Sequence, residues 1–433
     1  MKTLHLSGII ITNEAEPVIN GALLIEDSTI VSVGKIEDFG DLTKYRTIDH
    51  KNSLICPGFI NLHAHLLYSK APKIKGLDGL FPWLESLISS TKSWQEKDYI
   101  DSINYGIKQA LSTGTIFIVE NTPSYLSAQE LSKSPLRTLV GFEVFGSDEE
   151  KADELFNLAL EQMSKCHSRA SGNDKVESTF SPHAPYDVSS PLWKKLIDWS
   201  IQNNKPLLTH LEESPDERLW WQNKSGKAIE FWKFLNRLEP KLKYWKKHNS
   251  GIDFLNKNNF LNKNILATHL CQASKEDLQI LKESNINLVH CPRSNYFLNN
   301  GVANLKLWDE FSLLWGIGTD SIASNESLDL LEEVRFAINQ QSINYGYTIS
   351  AQEAFKAITS NAAKILSKEK ELGYLKKGFN ADFLVYNLRD KSGCTHKDLY
   401  NLLIFNIDNK KDLKEVWIEG QHAWKSERIL NRI

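Results

Sequence analysis

Cysteine is scarce in this chain. Cys56, Cys166, Cys271, Cys291 and Cys394 are scattered, and no C-x-x-C occurs. That pattern excludes a disulfide framework and reads as free thiols in a reducing cytosol. An excess of either charge is also missing: 51 Lys and Arg stand against 54 Asp and Glu, a net charge of −3. No basic field for nucleic acid follows. No apolar run approaches the ~20 residues that span a membrane. Met1-Lys2-Thr3-Leu4-His5-Leu6 is not followed by the apolar stretch and small-residue site of a signal peptide. No internal repeat is visible. The expectation is a cytoplasmic protein that acts on a small molecule, with no nucleic-acid or membrane partner.

The 433 residues exceed what one small core needs. Residues 4–55 read as short β elements with turn signals, among them Gly21–Ile25 and Thr29–Gly34. The other end looks alike, with Ala381–Tyr386 and Val416–Gly420. Together residues 1–56 and 375–433 are expected to form one small β-sandwich. Between them, apolar strand-like runs alternate with helical stretches. The runs include Thr115–Val119, Leu139–Val144, Pro206–Thr209, Ile265–Thr268, Ile286–Val289 and Leu314–Gly318. Such alternation implies a parallel sheet, and residues 57–374 suit a (β/α)8 TIM barrel. Ser327–Asn339 and Ala351–Leu366 read as helices, and Lys165–Lys175 as a surface loop. The Trp- and Lys-rich stretch 220–263 reads as helices outside the barrel that form one wall of a pocket. Its charge reads as a solvated face.

The chemistry is concentrated where strand-like runs end. His63-Ala64-His65 closes the run Ser53–Leu62. Side chains alternate along a strand, so both imidazoles point to one face and reach one cation. His183, His210, His269 and Asp320 also end apolar runs, and a barrel builds its active site at such strand ends. His63, His65, His210 and Asp320 make a metal set: three neutral imidazoles and one carboxylate suit one divalent ion, Zn²⁺ first and Fe²⁺ second. Each residue alone has an ordinary structural explanation. Four of them in barrel order do not. Glu213 lies three residues after His210, where a carboxylate can take a proton from water and return it to substrate. As helix-starting acids, Glu212 and Glu213 would otherwise simply favour the helix dipole. With the metal set present, Glu213 reads as general base and Glu212 as its solvated neighbour.

These stretches resemble the amidohydrolase superfamily, in its branch of metal-dependent aminohydrolases and chlorohydrolases. The resemblance rests on Pro57–His65, Ser181–Tyr186, His210–Glu213, Thr268–Leu270, His290–Asn295, Gly318–Asn325 and Gly373–Asp382, and covers nearly the whole chain. It implies that Glu213 shuttles protons, that His269 orients the hydroxide and that Asp320, besides binding metal, accepts a proton from the attacking water. His183, Trp83, Arg293 and Ser294 would contact substrate. Some members bridge two metals through a carboxylated lysine on the fourth strand. The matching run Ser178–Pro182 has no lysine, so one metal is expected. The branch also implies a homodimer.

Members of this branch deaminate purine nucleosides, guanine and triazines. Leu66–Lys70, Gly79–Leu84, Ser134–Arg137, Phe142–Gly146 and Cys291–Asn295 resemble aminofutalosine deaminases of menaquinone biosynthesis. Methylthioadenosine/S-adenosylhomocysteine deaminases usually carry a ribose-binding glutamate where this chain has Pro82, and Asn-Pro where it has Cys291-Pro292-Arg293. The resemblance thus implies hydrolytic deamination of an adenine-type nucleoside, aminofutalosine first. The alternatives are methylthioadenosine/S-adenosylhomocysteine deamination and guanine deamination or chlorohydrolysis. A non-catalytic scaffold would have lost ligands that this chain keeps. Arg293 either forks a carboxylate on the substrate or pairs with a nearby acid.

Overall fold

The computed structural model describes residues 2–169, 175–388 and 399–426. Strands β1 (Lys2–Ile10), β2 (Val18–Glu26), β3 (Thr29–Lys35), β4 (Arg46–Asp49) and β5 (Ser53–Pro57) come first. Then follow β6 (Phe59–Ala64), β7 (Thr115–Thr122), β8 (Arg137–Val144), β9 (Val176–Pro182), β10 (Leu207–Leu211), β11 (Ile265–His269), β12 (Asn287–His290) and β13 (Trp315–Ile317). The chain returns through β14 (Phe383–Asn387), β15 (Leu413–Ile418) and β16 (Gln421–Lys425).

Strands β6 to β9 form one parallel four-stranded sheet and β10 to β13 a second. Nearly every residue of these strands is buried, as expected when helices cover a parallel sheet. The sheets meet at both edges through their C-terminal ends. His210 N donates to His183 O at 2.9 Å, and Thr319 N and Asp320 N donate to His63 O at 3.0 and 2.9 Å. Gly318 allows the second contact: a Cβ there would lie 2.6 Å from the Cβ of His63.

The terminal strands form one mixed eight-stranded sheet, ordered β16-β15-β14-β5-β1-β2-β3 with β4 against β1. β5 and β14 show why this sheet holds two cores apart. Leu54, Cys56, Leu384 and Tyr386 pack into the large core of the parallel sheets. The alternate residues Ile55, Phe383 and Val385 join Leu23, Ile25 and Ile30 in a separate core. Period 2 sends neighbours to opposite faces.

Two segments depart from the sequence reading. The helix expected over Ala351–Leu366 is two, Ala351–Ala357 and Ser360–Ile365. The chain leaves helical geometry at Thr359, and Ile358 O is spent on Ile60 N of β6, 2.8 Å away. The loop expected over Lys165–Lys175 begins as helix, since Ala152–Arg169 is helical; residues 170–174 lie outside the described residues. Cys56, Cys271 and Cys291 are free thiols. Among the described residues, no helix is long and apolar enough to cross a membrane.

Candidate active site

The site sits at the C-terminal ends of the parallel strands. β6 ends in His63 and Ala64, with His65 next; β10 carries His210, β11 ends in His269, and Asp320 follows β13. Asp320 has φ +59° and His269 has φ +81°, a left-handed backbone that non-glycine residues seldom adopt. These residues are turned sharply out of their strands toward one point. His65 Nε2 lies 3.3 Å from His210 Nε2. Asp320 Oδ1 lies 3.5 Å from His65 Nε2 and 3.7 Å from His63 Nε2. The structure thus brings His63, His65, His210 and Asp320 together.

The hydrogen bonds suit a cation. His210 Nδ1 donates to His183 O at 2.9 Å, leaving Nε2 as the free lone pair. The Asn121 amide holds His63 Nδ1 at 3.0 Å, and His63 Nε2 is buried with no hydrogen-bond partner. A buried orphan nitrogen is costly without a partner. Ligand atoms of His63, His65 and Asp320 lie within 4.8 Å of one another, and so do those of His63, His210 and His269. The residues fit one divalent ion. Burial and the neighbouring imidazoles hold His63 and His210 far below the usual histidine range, which keeps them neutral as ligands. Burial alone would raise the Asp320 carboxyl. The surrounding histidines and the Ser294 hydroxyl hold it at about 2.

Glu213 and His269 stand beside this set. Glu213 Oε1 accepts from Asn300 Nδ2 at 2.9 Å, and Oε2 lies 3.8 Å from His269 Nε2. Burial and the Asp320 charge push Glu213 up to about 8, a value suited to taking and returning a proton near neutral pH. His269 Nδ1 donates to Asn295 Oδ1 at 2.7 Å, which leaves Nε2 directed inward without a partner.

His65, His183, His210, Glu213, His269 and Asp320 line one end of a cavity of ≈ 460 Å³. Its walls are largely apolar and include Trp83, Leu84, Leu87, Phe145 and Phe231, the composition of a small-molecule site. Trp83 and His183 therefore fall where the resemblance puts them. Ser294 does not reach the cavity: its hydroxyl donates to Asp320 Oδ2 at 2.5 Å. Arg293 is turned away as well. Its guanidinium pairs with Glu332 at 2.8 Å and Glu326 at 3.4 Å, so of its two readings the structure favours the acid partner.

Glu212 needs correction. It is fully buried, not solvated. Its Oε1 accepts from Gly251 N at 2.6 Å and its Oε2 pairs with Arg218 at 2.6 Å, which fixes the chain beside Glu213. The positive φ of Glu212 sends its side chain inward, away from solvent.

Other cavity residues were not singled out from sequence. Glu143 ends β8 with Oε1 3.9 Å from His65 Nδ1. An acid inside the apolar run Leu139–Val144 was the available signal. Asp187 accepts from His183 Nδ1 at 2.8 Å, and the spacing of four residues hinted at it. Burial would lower His183, but Asp187 holds it above the ordinary histidine value. The stretch 220–263 does form one wall, through Phe231, Leu235 and Arg237. Its charge is not all solvated: Lys241 is buried and donates to Asp187 Oδ1 at 2.6 Å and Tyr186 O at 2.8 Å.

Parallel β/α sheets with histidines and a carboxylate at their strand ends define a hydrolase built around a metal site. The chain belongs to the amidohydrolase family, whose model matches residues 54–422. It is similar to a 5-methylthioadenosine/S-adenosylhomocysteine deaminase of Bacillus cereus, at 26% identity over 99% of this chain and 95% of that protein. It is equally similar to an aminodeoxyfutalosine deaminase of Nitratiruptor, at 27% identity over 94% and 96%. The fold matches that of Helicobacter pylori aminofutalosine deaminase, solved with methylthio-coformycin. The TM-score is 0.82, with 22% identity and coverage of 98% of this chain and 100% of that one.

Proposed function

We propose that this protein hydrolytically deaminates an adenine-type nucleoside, and that aminofutalosine is its substrate within menaquinone biosynthesis. The observation that carries the reading is Glu213: a buried carboxyl near 8, beside the His/Asp cluster, at the inner end of an otherwise apolar cavity. Relatives named for adenine nucleosides support the substrate class. The departure at Pro82 supports aminofutalosine over methylthioadenosine.

A divalent ion, Zn²⁺ first, held by His63, His65, His210 and Asp320 would supply Lewis-acid activation of water. The remaining work belongs to the chain. Glu213 takes a proton from the attacking water and delivers it to purine N1 as C6 becomes tetrahedral. His269 and Asp320 orient the incoming oxygen, and Asp320 accepts its second proton. That proton passes to the departing amine, and ammonia leaves. His183, kept protonated by Asp187, offers an N–H to the substrate. Trp83 and the apolar wall stack against the nucleoside. In the same reading the eight parallel strands close into one barrel over residues 57–374. Residues 1–56 and 375–433 form its β-sandwich companion.

An ammonia-release assay over aminofutalosine, methylthioadenosine, S-adenosylhomocysteine and guanine tests this. Turnover of aminofutalosine without methylthioadenosine is expected. Turnover of guanine or a halotriazine alone would refute it.

A further inference from the structure

Arg237 precedes the short helix Leu238–Lys243 in the segment between β10 and β11. It is exposed, and it lines the catalytic cavity. It also lines an adjoining groove of ≈ 250 Å³, together with Ser147, Lys151, Asn236 and Lys241. Phe145, Asp187 and Arg237 belong to both spaces, so the groove continues the cavity outward past the guanidinium.

The acids nearby are already committed. Asp187 bonds His183 at 2.8 Å and Lys241 at 2.6 Å. Asp148 Oδ1 accepts from Glu150 N at 3.1 Å. Arg137, Arg218 and Arg293 each pair with at least two carboxylates. Among the described residues, no carboxylate pairs with Arg237, nor with Lys151 across the groove. An unpaired surface arginine is ordinary by itself. This one stands on the only route between the reactive groups and a groove that carries a second free cation. A guanidinium presents a planar fork that matches a carboxylate or phosphate in two parallel hydrogen bonds.

We propose that Arg237 binds a terminal anion on the 5′ substituent of the substrate, a carboxylate or a phosphate, with Lys151 reinforcing the field in the groove. The inference rests on the reading of the chain as an adenine-nucleoside deaminase. It names the residue that selects a charged 5′ extension over a neutral one.

The test compares wild type, Arg237→Ala and Arg237→Lys for ammonia release from three adenosines. One is neutral 5′-deoxyadenosine, one carries a carboxylate at the end of its 5′ substituent, and one is adenosine 5′-monophosphate. Arg237→Ala should raise KM for one anionic substrate about tenfold more than for 5′-deoxyadenosine, the scale of one partly exposed charge-assisted contact. Arg237→Lys should recover part of that loss. The anion that suffers identifies the ligand, carboxylate or phosphate. Equal effects on all three substrates, or none on any, would overturn the role of Arg237 while leaving the deaminase reading intact. Wild-type protein that releases ammonia from none of them would overturn both.

Discussion

The two ends of the catalytic cavity are built differently. The inner end is carried by strand termini. His63, His210, His269 and Asp320 are buried, and main-chain hydrogen bonds such as those from Thr319 and Asp320 to His63 O fix their backbones. The outer wall comes from short helices between β10 and β11, including Ala228–Phe234 and Leu238–Lys243. There Arg237 is exposed. Chemistry that tolerates little misplacement sits on the rigid scaffold, and selectivity sits on a segment that can vary without disturbing it.

Breaking the inner end should cost most. His210→Ala removes a ligand, so metal content and turnover should both vanish, and chelation of the wild type should mimic it. Metal analysis with an activity assay checks this; a variant that keeps its metal would remove His210 from the set. Lys241→Ala attacks the junction of the two ends. It leaves Asp187 buried without its ammonium, which should destabilise the fold by about 3–5 kcal/mol. Denaturant unfolding measures it, and a loss under about 1 kcal/mol would show that Lys241 does not brace the wall. Arg293→Ala should do least. Its ion pairs are partly exposed, so stability should fall by roughly 1 kcal/mol or less. Turnover should stay within about threefold of wild type. A selective tenfold loss on a carboxylate-bearing nucleoside would return Arg293 to the substrate.

The same contrast explains what could be read in advance. The metal set was legible because each ligand interrupts an apolar run, and a strand end fixes where such a residue points. Strand positions followed for the same reason: β7, β8 and β10 to β13 fall on the expected runs, shifted by a few residues. The break at Thr359 was hidden because it depends on Ile358 O meeting β6, a partner far away in sequence. Glu212 was misread because its partners, Gly251 and Arg218, are brought in by tertiary folding. Arg237 carries no sequence signal, since one more cation in a Lys-rich stretch reads as solvated surface. Arg293 looked like a ligand-binding group by its motif, and only the structure shows the acids beside it.

Glu213→Gln tests the account most directly. Glutamine keeps the shape and the contact with Asn300 but cannot accept the proton. Ammonia release from the adenine nucleoside and bound metal should be measured on the same preparation. The account predicts full metal content with turnover lowered about 10²–10⁴-fold. Near-normal turnover, or loss of metal as in His210→Ala, would contradict it.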